Sequence, residues 1–304
     1  MRIVLFGASG FIGAHVRAVL AGDERVSYLD CPGRDRVDLL AAAPSGDGAD
    51  ALTGLLQHAR PDAVVLCTGR LGGSGVDLVR ANTLPVAAVV EAVATAAPGA
   101  RVVRLGSAGE YGVVPAGRAV REDHPALPVS EYGVSHLAAT RLLELASVAG
   151  RVDGVTLRVF NPIGPGLKED TLLGRAAALL REALNEGWET ITLGDLSSHR
   201  DFVDVRDVAT AVTAAIFAER PAPRVVNVAS GRAVPARLVV QLLADEAGFR
   251  GRIVERGAGP ARSASVAWML ADIERAASAL GWSPAHDLPS SVRAVWSSSA
   301  RAGS

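Results

Sequence analysis

The chain has 304 residues, of which 49% are hydrophobic, 21% charged and only 4% aromatic, with a formal net charge of -1. That length suits one large domain or two small ones, and the near-zero charge excludes a general nucleic-acid or anionic-membrane binder, since either needs a basic surplus. Of the 31 basic residues, Lys168 is the single lysine.

Cys31 and Cys67 are too few for a disulfide framework and lack metal-ligand spacing, so a reduced, cytoplasmic setting is expected. The chain opens directly on a strand-like run without a signal-peptide pattern. No apolar run approaches the roughly 20 residues of a membrane helix. His15, His58, His124, His199 and His286 show no ligand spacing, and no metal site is expected.

Ile3 to Phe6 reads as a strand, followed by a glycine-rich turn and a helix to about Leu20. Val26 to Leu29 reads as a second strand ending at Asp30. Ala63 to Cys67 and Arg101 to Leu105 are short apolar runs of the kind buried on both faces of a sheet. Between them a helix is predicted from Val76 to Ala97, closed by Pro98 and Gly99. A helix from Tyr132 to Ala149 and a strand from Val155 to Phe160 follow. This alternation predicts an α/β fold: a doubly wound parallel sheet with helices on both faces.

After Asn161 the pattern breaks at Pro162, Gly164, Pro165 and Gly166. Helices are predicted at Leu172 to Glu186, Val234 to Ala247 and Ile273 to Leu280, with short strands at Val225 to Val228 and Arg252 to Glu255. The expected organisation is a dinucleotide-binding unit over residues 1–160, to which 203–229 return. A smaller C-terminal α/β substrate-binding region spans 161–202 and 230–296. Residues 297–304, small and polar, read as a frayed tail. Asp204 and Asp207 read as capping, solvated acids.

Gly7, Gly10 and Gly13 lie between a strand and a helix, where backbone N–H groups can approach a pyrophosphate. Asp30 ends the second strand, where an acid can bond the ribose hydroxyls of NAD. Arg34 and Arg36 lie close enough in sequence to pair with a 2′-phosphate, so NAD and NADP both stay open.

Six segments in order carry a resemblance. They are the Gly7/Gly10/Gly13 turn; Ser107-Ala108-Gly109-Glu110-Tyr111-Gly112; Tyr132-Gly133-Val134-Ser135-His136; Arg158 through Gly166; Arg200 through Val208; and Leu280-Gly281-Trp282-Ser283-Pro284. On these the chain resembles the extended short-chain dehydrogenase/reductases, the nucleotide-sugar epimerase, dehydratase and reductase family. The resemblance implies that Tyr132 exchanges a proton with the substrate oxygen while a nicotinamide moves hydride, and that Ser107 holds that oxygen. It adds Phe11, Ile12, Asp38, Leu39 and Thr68 to the cofactor-binding set, makes Tyr111 a packing residue, and brings Asn82 near the cofactor in a structural role. It also implies a homodimer through two helices per subunit.

The family's pattern is Tyr-x-x-x-Lys, and here His136 stands at the lysine's place. One helical turn puts Tyr132 and His136 on the same side. Histidine can keep a hydrogen bond to the nicotinamide ribose, but a group with an ordinary pKa near 6.5 is mostly neutral at pH 7 and depresses a tyrosine pKa far less than a cation. Three readings follow: a site that only binds cofactor, a site in which His136 substitutes in part, and a reductase in which tyrosine arrives protonated.

Where sugar dehydratases of the family carry an Asp-Glu pair, this chain has Ala108 and Gly109, so elimination lacks its acid and base. The runs around Asn161 and Arg200 are most similar to reductases of nucleotide-linked 4-keto-6-deoxysugars. The resemblance assigns Asn161, Arg200 and Arg262 to the substrate, the two arginines as pyrophosphate clamps. Around Arg262 the family's Arg-Pro-x-Asp reads Arg-Ser-Ala-Ser. The expected activity is NAD(P)H-dependent reduction of a nucleotide-activated 4-keto-6-deoxysugar or a related secondary-metabolite ketone. The alternatives are an NAD-dependent 4-epimerase and a catalytically idle dinucleotide sensor.

Overall fold

Ile3 and Leu5 of strand β1 (Arg2–Phe6) bury into one apolar layer, and Val4 and Phe6 bury into another. This is the two-residue period of a strand covered on both faces. The computed structural model describes residues 1–41, 47–220, 222–257 and 266–299. Beside β1 lie β2 (Tyr28–Asp30) and β3 (Ala63–Leu66), then β4 (Arg101–Ser107), β5 (Asp153–Val159) and β10 (Val225–Val228). They form one parallel sheet in the order β10-β5-β4-β3-β1-β2. The chain leaves β1 toward β2 and returns to β3 on its other side, so the strand order reverses at the carboxyl end of β1, where open α/β sheets bind ligands.

Helices α1 (Phe11–Ala21) and α7 (Val205–Phe217) share the layer of Ile3 and Leu5 through Val16, Leu20, Val208, Val212 and Ile216. Helices α2 (Asp47–Ala59), α4 (Leu84–Ala96) and α5 (Glu131–Val148) cover the other face through Leu52, Leu56, Val89, Val93, Ala139 and Leu143. The remaining chain builds a second core from α6 (Leu172–Glu186), α8 (Ala236–Ala247) and α10 (Leu288–Ser299), with β7 (Thr190–Leu193) paired in parallel to β12 (Arg252–Glu255). Two further small pairs, β6 (Pro162–Ile163) with β9 (Val203–Asp204) and β8 (His199–Asp201) with β11 (Ala233–Pro235), fasten this region to the sheet's carboxyl edge.

Several expectations need correction. The helix predicted over Val76 to Ala97 is two helices, α3 (Gly75–Asn82) and α4, divided at Thr83 with a proline in α4's first turn. Proline there lacks the N–H that would continue the ladder and is already set for a helix start. Taken together, Gly75–Ala96 is long and apolar enough to cross a membrane, against the expectation of no such run, yet 56% of its apolar 18-residue stretch is buried inside the fold. The helix predicted from Val234 begins at Ala236, because Ala233–Pro235 pairs with β8 instead. Asp204 caps α7 and Asp207 bonds the His286 ring and backbone, but both are buried, not solvated. Ser297–Ser299 do not fray: they close α10, where Ser298 Oγ accepts from Gly166 N and Ser299 Oγ from Arg181 Nε.

The run at Arg101 to Leu105 forms a strand as predicted, but it is not simply apolar. Arg101 and Arg104 are both buried, on opposite faces. Arg101 pairs with Asp153 and donates to the carbonyls of Ala215 and Ala218 at the end of α7, where the helix dipole favours a cation. Arg104 points to α5.

Candidate active site

The turn after β1 has the backbone that its glycines require. Gly7 has φ +80°, and a Cβ there would lie 2.7 Å from the Cys67 carbonyl carbon and 2.9 Å from Thr68 N; at Gly13 a Cβ would lie 1.9 Å from Gly7 O. The turn therefore packs against the loop after β3 and brings Thr68 beside it. Gly10 caps α1 without a side-chain hydrogen bond, and the first turn holds no acid. Phe11 and Ile12 open that helix, so its unpaired N–H groups remain available to an anion. These residues fit the pyrophosphate of a nicotinamide dinucleotide.

Asp30 ends β2, and its carboxylate accepts two bonds from Arg36, at 2.8 and 3.1 Å. Arg36, not Arg34, is thus the arginine held at the acid; Arg34 is exposed in the same turn. Asp38 accepts from Leu40 N, and Leu39 is buried against the sheet with Phe6 and Leu66. Asn82 bonds both backbone groups of Arg70 and the Ser135 hydroxyl, tying the loop after β3 to α5.

Ser107 ends β4 and caps a single 3-10 turn, Ala108–Glu110, its Oγ accepting from Gly109 N. Tyr132 lies in the first turn of α5, whose Ser130 cap accepts from Gly133 N. That helix start lies against the 3-10 turn so closely that a Cβ at Gly133 would come within 2.4 Å of Gly109 O. A Cβ at Gly109 would stand 3.4 Å from Ser107 Oγ and 3.4 Å from the Tyr132 ring carbons Cδ1 and Cε1. Ser107 and Tyr132 therefore flank one small space, and neither Ala108 nor Gly109 puts an acid or base into it.

His136 is buried beneath Tyr132, ring centroids 4.6 Å apart. Burial, reinforced by the Arg104 guanidinium, lowers its pKa to about 3, so the imidazole is neutral throughout the physiological range. Arg104 Nη2 lies 3.2 Å from His136 Nδ1, and Nη1 donates to Thr140 Oγ1 at 2.6 Å. Glu110, fully buried, accepts from Ser107 N, Thr140 Oγ1 and Arg158 Nε. Arg158 lies over the Tyr111 ring at 4.4 Å, and its Nη1 has no hydrogen-bond partner among the described residues. Tyr111 donates to Asn227 Oδ1 at 2.6 Å, and burial raises its pKa to about 12. It stays a protonated packing residue.

The sequence reading gave no role to Arg104, Glu110, Thr140 or Arg158, although Glu110 and Arg158 lie in segments that carry the resemblance. A usable signal existed: three charged residues, at 104, 110 and 158, sit in or beside strands otherwise fit only for burial, and buried charges are rarely idle.

Toward the C-terminal region a cleft is lined by Ala108, Gly109, Ser130, Asn161, Arg200 and Met269, among others. Asn161 has φ +31°, an uncommon conformation that asparagine tolerates better than most residues, and its Nδ2 donates to Asp201 O at 2.8 Å. Arg200 donates to the carbonyls of His199 and Val266. Arg262, with the Ser-Ala-Ser that follows it, lies outside the described residues.

The NAD dependent epimerase/dehydratase family matches residues 3–229. A dTDP-6-deoxy-L-talose 4-dehydrogenase (NAD(P)(+)) of Kitasatospora kifunensis is 39% identical, covering 99% of this chain and 96% of its own length. A GDP-6-deoxy-D-mannose reductase of Pseudomonas aeruginosa is 28% identical over 97% of this chain and 96% of its own. The solved structure of RMD from Pseudomonas aeruginosa complexed with NADPH has a TM-score of 0.84 and 27% identity, over 98% of this chain and 99% of that one. The fold reversing at the glycine turn and similarity running end to end lead to one conclusion: the chain belongs to the NAD-dependent epimerase/dehydratase family and is an NAD(P)-dependent oxidoreductase of the extended short-chain type.

Proposed function

We propose that this protein interconverts the 4-keto and 4-hydroxy forms of a nucleotide-linked 6-deoxysugar, reduction being the direction its site favours. The observation that carries the reading is the shared space between Ser107 Oγ and the Tyr132 ring, with no acid or base from Ala108 or Gly109. The nicotinamide supplies or accepts the hydride. Ser107 holds the carbonyl oxygen, and Tyr132 gives that oxygen its proton as the alcohol forms. With His136 neutral, α5 itself puts no cation beside the Tyr132 phenol, which suits reduction, where the phenol has to bring a proton. His136 keeps a hydrogen-bonding role toward the nicotinamide ribose. The dTDP- and GDP-linked 6-deoxysugars in the relatives' names support the substrate class.

The turn of Gly7, Gly10, Phe11, Ile12 and Gly13 takes the pyrophosphate, with Asp38, Leu39 and Thr68 along the adenosine side. Asp30 and Arg36 together face the ribose, an acid for hydroxyls and a cation for a 2′-phosphate, so both cofactors are accepted. Asn161, Arg200 and Arg262 bind the sugar nucleotide. Val134, Leu142, Leu145 and Val148 expose apolar side chains along α5, and Val76 and Val79 do so on α3, which packs beside it. This two-helix face supports a homodimer. The two free cysteines agree with a cytoplasmic setting.

The test is turnover of NADPH and NADH with dTDP- and GDP-linked 4-keto-6-deoxysugars. Stoichiometric loss of reduced nicotinamide is expected, and Tyr132→Phe should lower kcat by about 10²- to 10⁴-fold. Interconversion of 4-epimers with no net cofactor change would overturn the reading in favour of an epimerase. Cofactor binding with no turnover of any carbonyl would leave a sensor.

A further inference from the structure

Position 136 lacks the family's cation, yet a cation is present one layer below it. Arg104 is buried on the α5 face of β4 and reaches His136 twice, Nη1 to the backbone carbonyl at 3.3 Å and Nη2 to Nδ1 at 3.2 Å. A guanidinium has only donors. His136 Nδ1 must therefore accept, and in a neutral imidazole the proton then sits on Nε2. The ring is fixed as a donor on its other nitrogen, polarised by a full positive charge. The charge does not cancel locally. Arg104 and Arg158 surround one carboxylate, Glu110, at 4.0 and 2.8 Å, so among the described residues two cations and one anion leave a single positive excess beneath Tyr132.

We infer that Arg104 is the positioning residue of this site: from the strand it supplies the positive charge that position 136 lacks, holds His136 as the Nε2–H tautomer, and through it stabilises the phenolate left on Tyr132 after proton transfer. The inference rests on the reading of Tyr132 as the proton donor. In reduction the Tyr132 O–H bond breaks, its proton goes to the substrate oxygen and its electron pair stays on the phenol oxygen. In oxidation the phenolate must form first, so that direction depends most on the cation. Among the described residues, the charged and titratable groups around the pair are Glu110 from the 3-10 turn, Arg158 from β5 and Tyr132 with His136 from α5; Thr140 adds an uncharged hydroxyl.

Three variants, Arg104→Met, Arg104→Lys and Arg104→Met/His136→Lys, test this with two readouts. The first is the nitrogen-15 spectrum of His136 in cofactor-free protein. Wild type should show one unprotonated Nδ1 and one protonated Nε2 from about pH 5 to 9, and Arg104→Met should give mixed tautomers. The second is the pH profile of sugar oxidation. Arg104→Met should lower kcat at least about tenfold, move KM less than about twofold, and raise the apparent pKa of the acidic limb by about one unit, as losing one nearby charge at an effective dielectric near 20 implies. Arg104→Lys should retain most of the rate. The double variant should recover it with the cation back on the helix, whereas His136→Lys alone sets two buried cations side by side and should be impaired. A folded Arg104→Met with unchanged tautomer and unchanged limb overturns the inference. If Arg104→Met does not fold, an Arg104→Lys variant with mixed tautomers and a raised limb, or a double variant no better than His136→Lys, does the same. Undiminished turnover in Tyr132→Phe instead overturns the reading beneath it, while the tautomer spectrum still decides the Arg104–His136 contact.

Discussion

The two faces of β4 each bury an arginine, three residues apart, and use it differently. On the α7 face Arg101 closes a structural joint: Asp153 pairs with it, and the carbonyls of Ala215, Ala218 and Glu219 at the helix end accept its other donors. On the α5 face Arg104 shares Glu110 with Arg158 and spends a donor on His136. Both acids are shared, but Asp153's second arginine, Arg220, is half-exposed and screened by water, whereas Glu110's, Arg158, is buried. A buried cation beside a helix terminus stabilises, and one of two buried beside a tyrosine sets the state of a proton. Burial alone does not tell these roles apart. The accounting of partners does.

The largest expected effect is of pH on the α5 face. Folded His136 stays neutral down to about pH 3, whereas an unfolded imidazole takes a proton near 6.5. Its contribution to stability is therefore complete above pH 6.5 and lost as pH falls from there toward 3. At about 1.4 kcal/mol per unit, the loss is on the order of 5 kcal/mol. Denaturant titrations of wild type and His136→Gln across that window check it; equal pH dependence in both would remove the distinction between the faces.

Next in size is Glu110→Gln, which leaves Arg104 and Arg158 without their carboxylate. Breaking a buried pair this way costs about 3–5 kcal/mol, read as a lower denaturant midpoint. Arg101→Met should cost somewhat less, about 2–4 kcal/mol, because Asp153 keeps the Arg220 contact. It should leave the pH profile of turnover unmoved, and a shifted profile would collapse the comparison.

The smallest effect on stability belongs to the Arg36–Asp30 pair, whose arginine is 53% exposed. Arg36→Ala should change stability by less than about 1 kcal/mol. Freed from its partner, Asp30 should repel a 2′-phosphate and shift the NADPH-to-NADH affinity ratio toward NADH by about tenfold. Titration calorimetry with both cofactors measures that ratio.

Much of the fold was legible because strand and helix periods leave local marks. Val225 to Val228, Arg252 to Glu255 and Leu172 to Glu186 fall where patterning put them. The glycine turn was equally readable, since only glycine fits the close approaches at positions 7 and 13. Ser107 and Tyr132 were singled out by the resemblance of their segments to the family, and the structure brings them together across Gly109. What escaped is non-local. A short apolar window does not say whether an arginine inside it points to a helix end or to an imidazole. Nor does it say that Asp204 and Asp207, spaced like solvated caps, are covered by Ser291 and His286 from more than 75 residues away.

The sequence by itself determined the strand and helix alternation that makes a parallel sheet and the dinucleotide turn, because each is written in neighbouring residues, and its likeness to the family exposed the departure at position 136. It also gave the neutral tendency of a histidine. Only the tertiary structure decided how that departure is answered. Strand β4 and helix α5 are separated along the chain, and only their packing sets the Arg104 guanidinium against His136 in a medium where water cannot screen it. The scarcity of lysine was a property of composition; the cation beneath Tyr132 is a property of the fold.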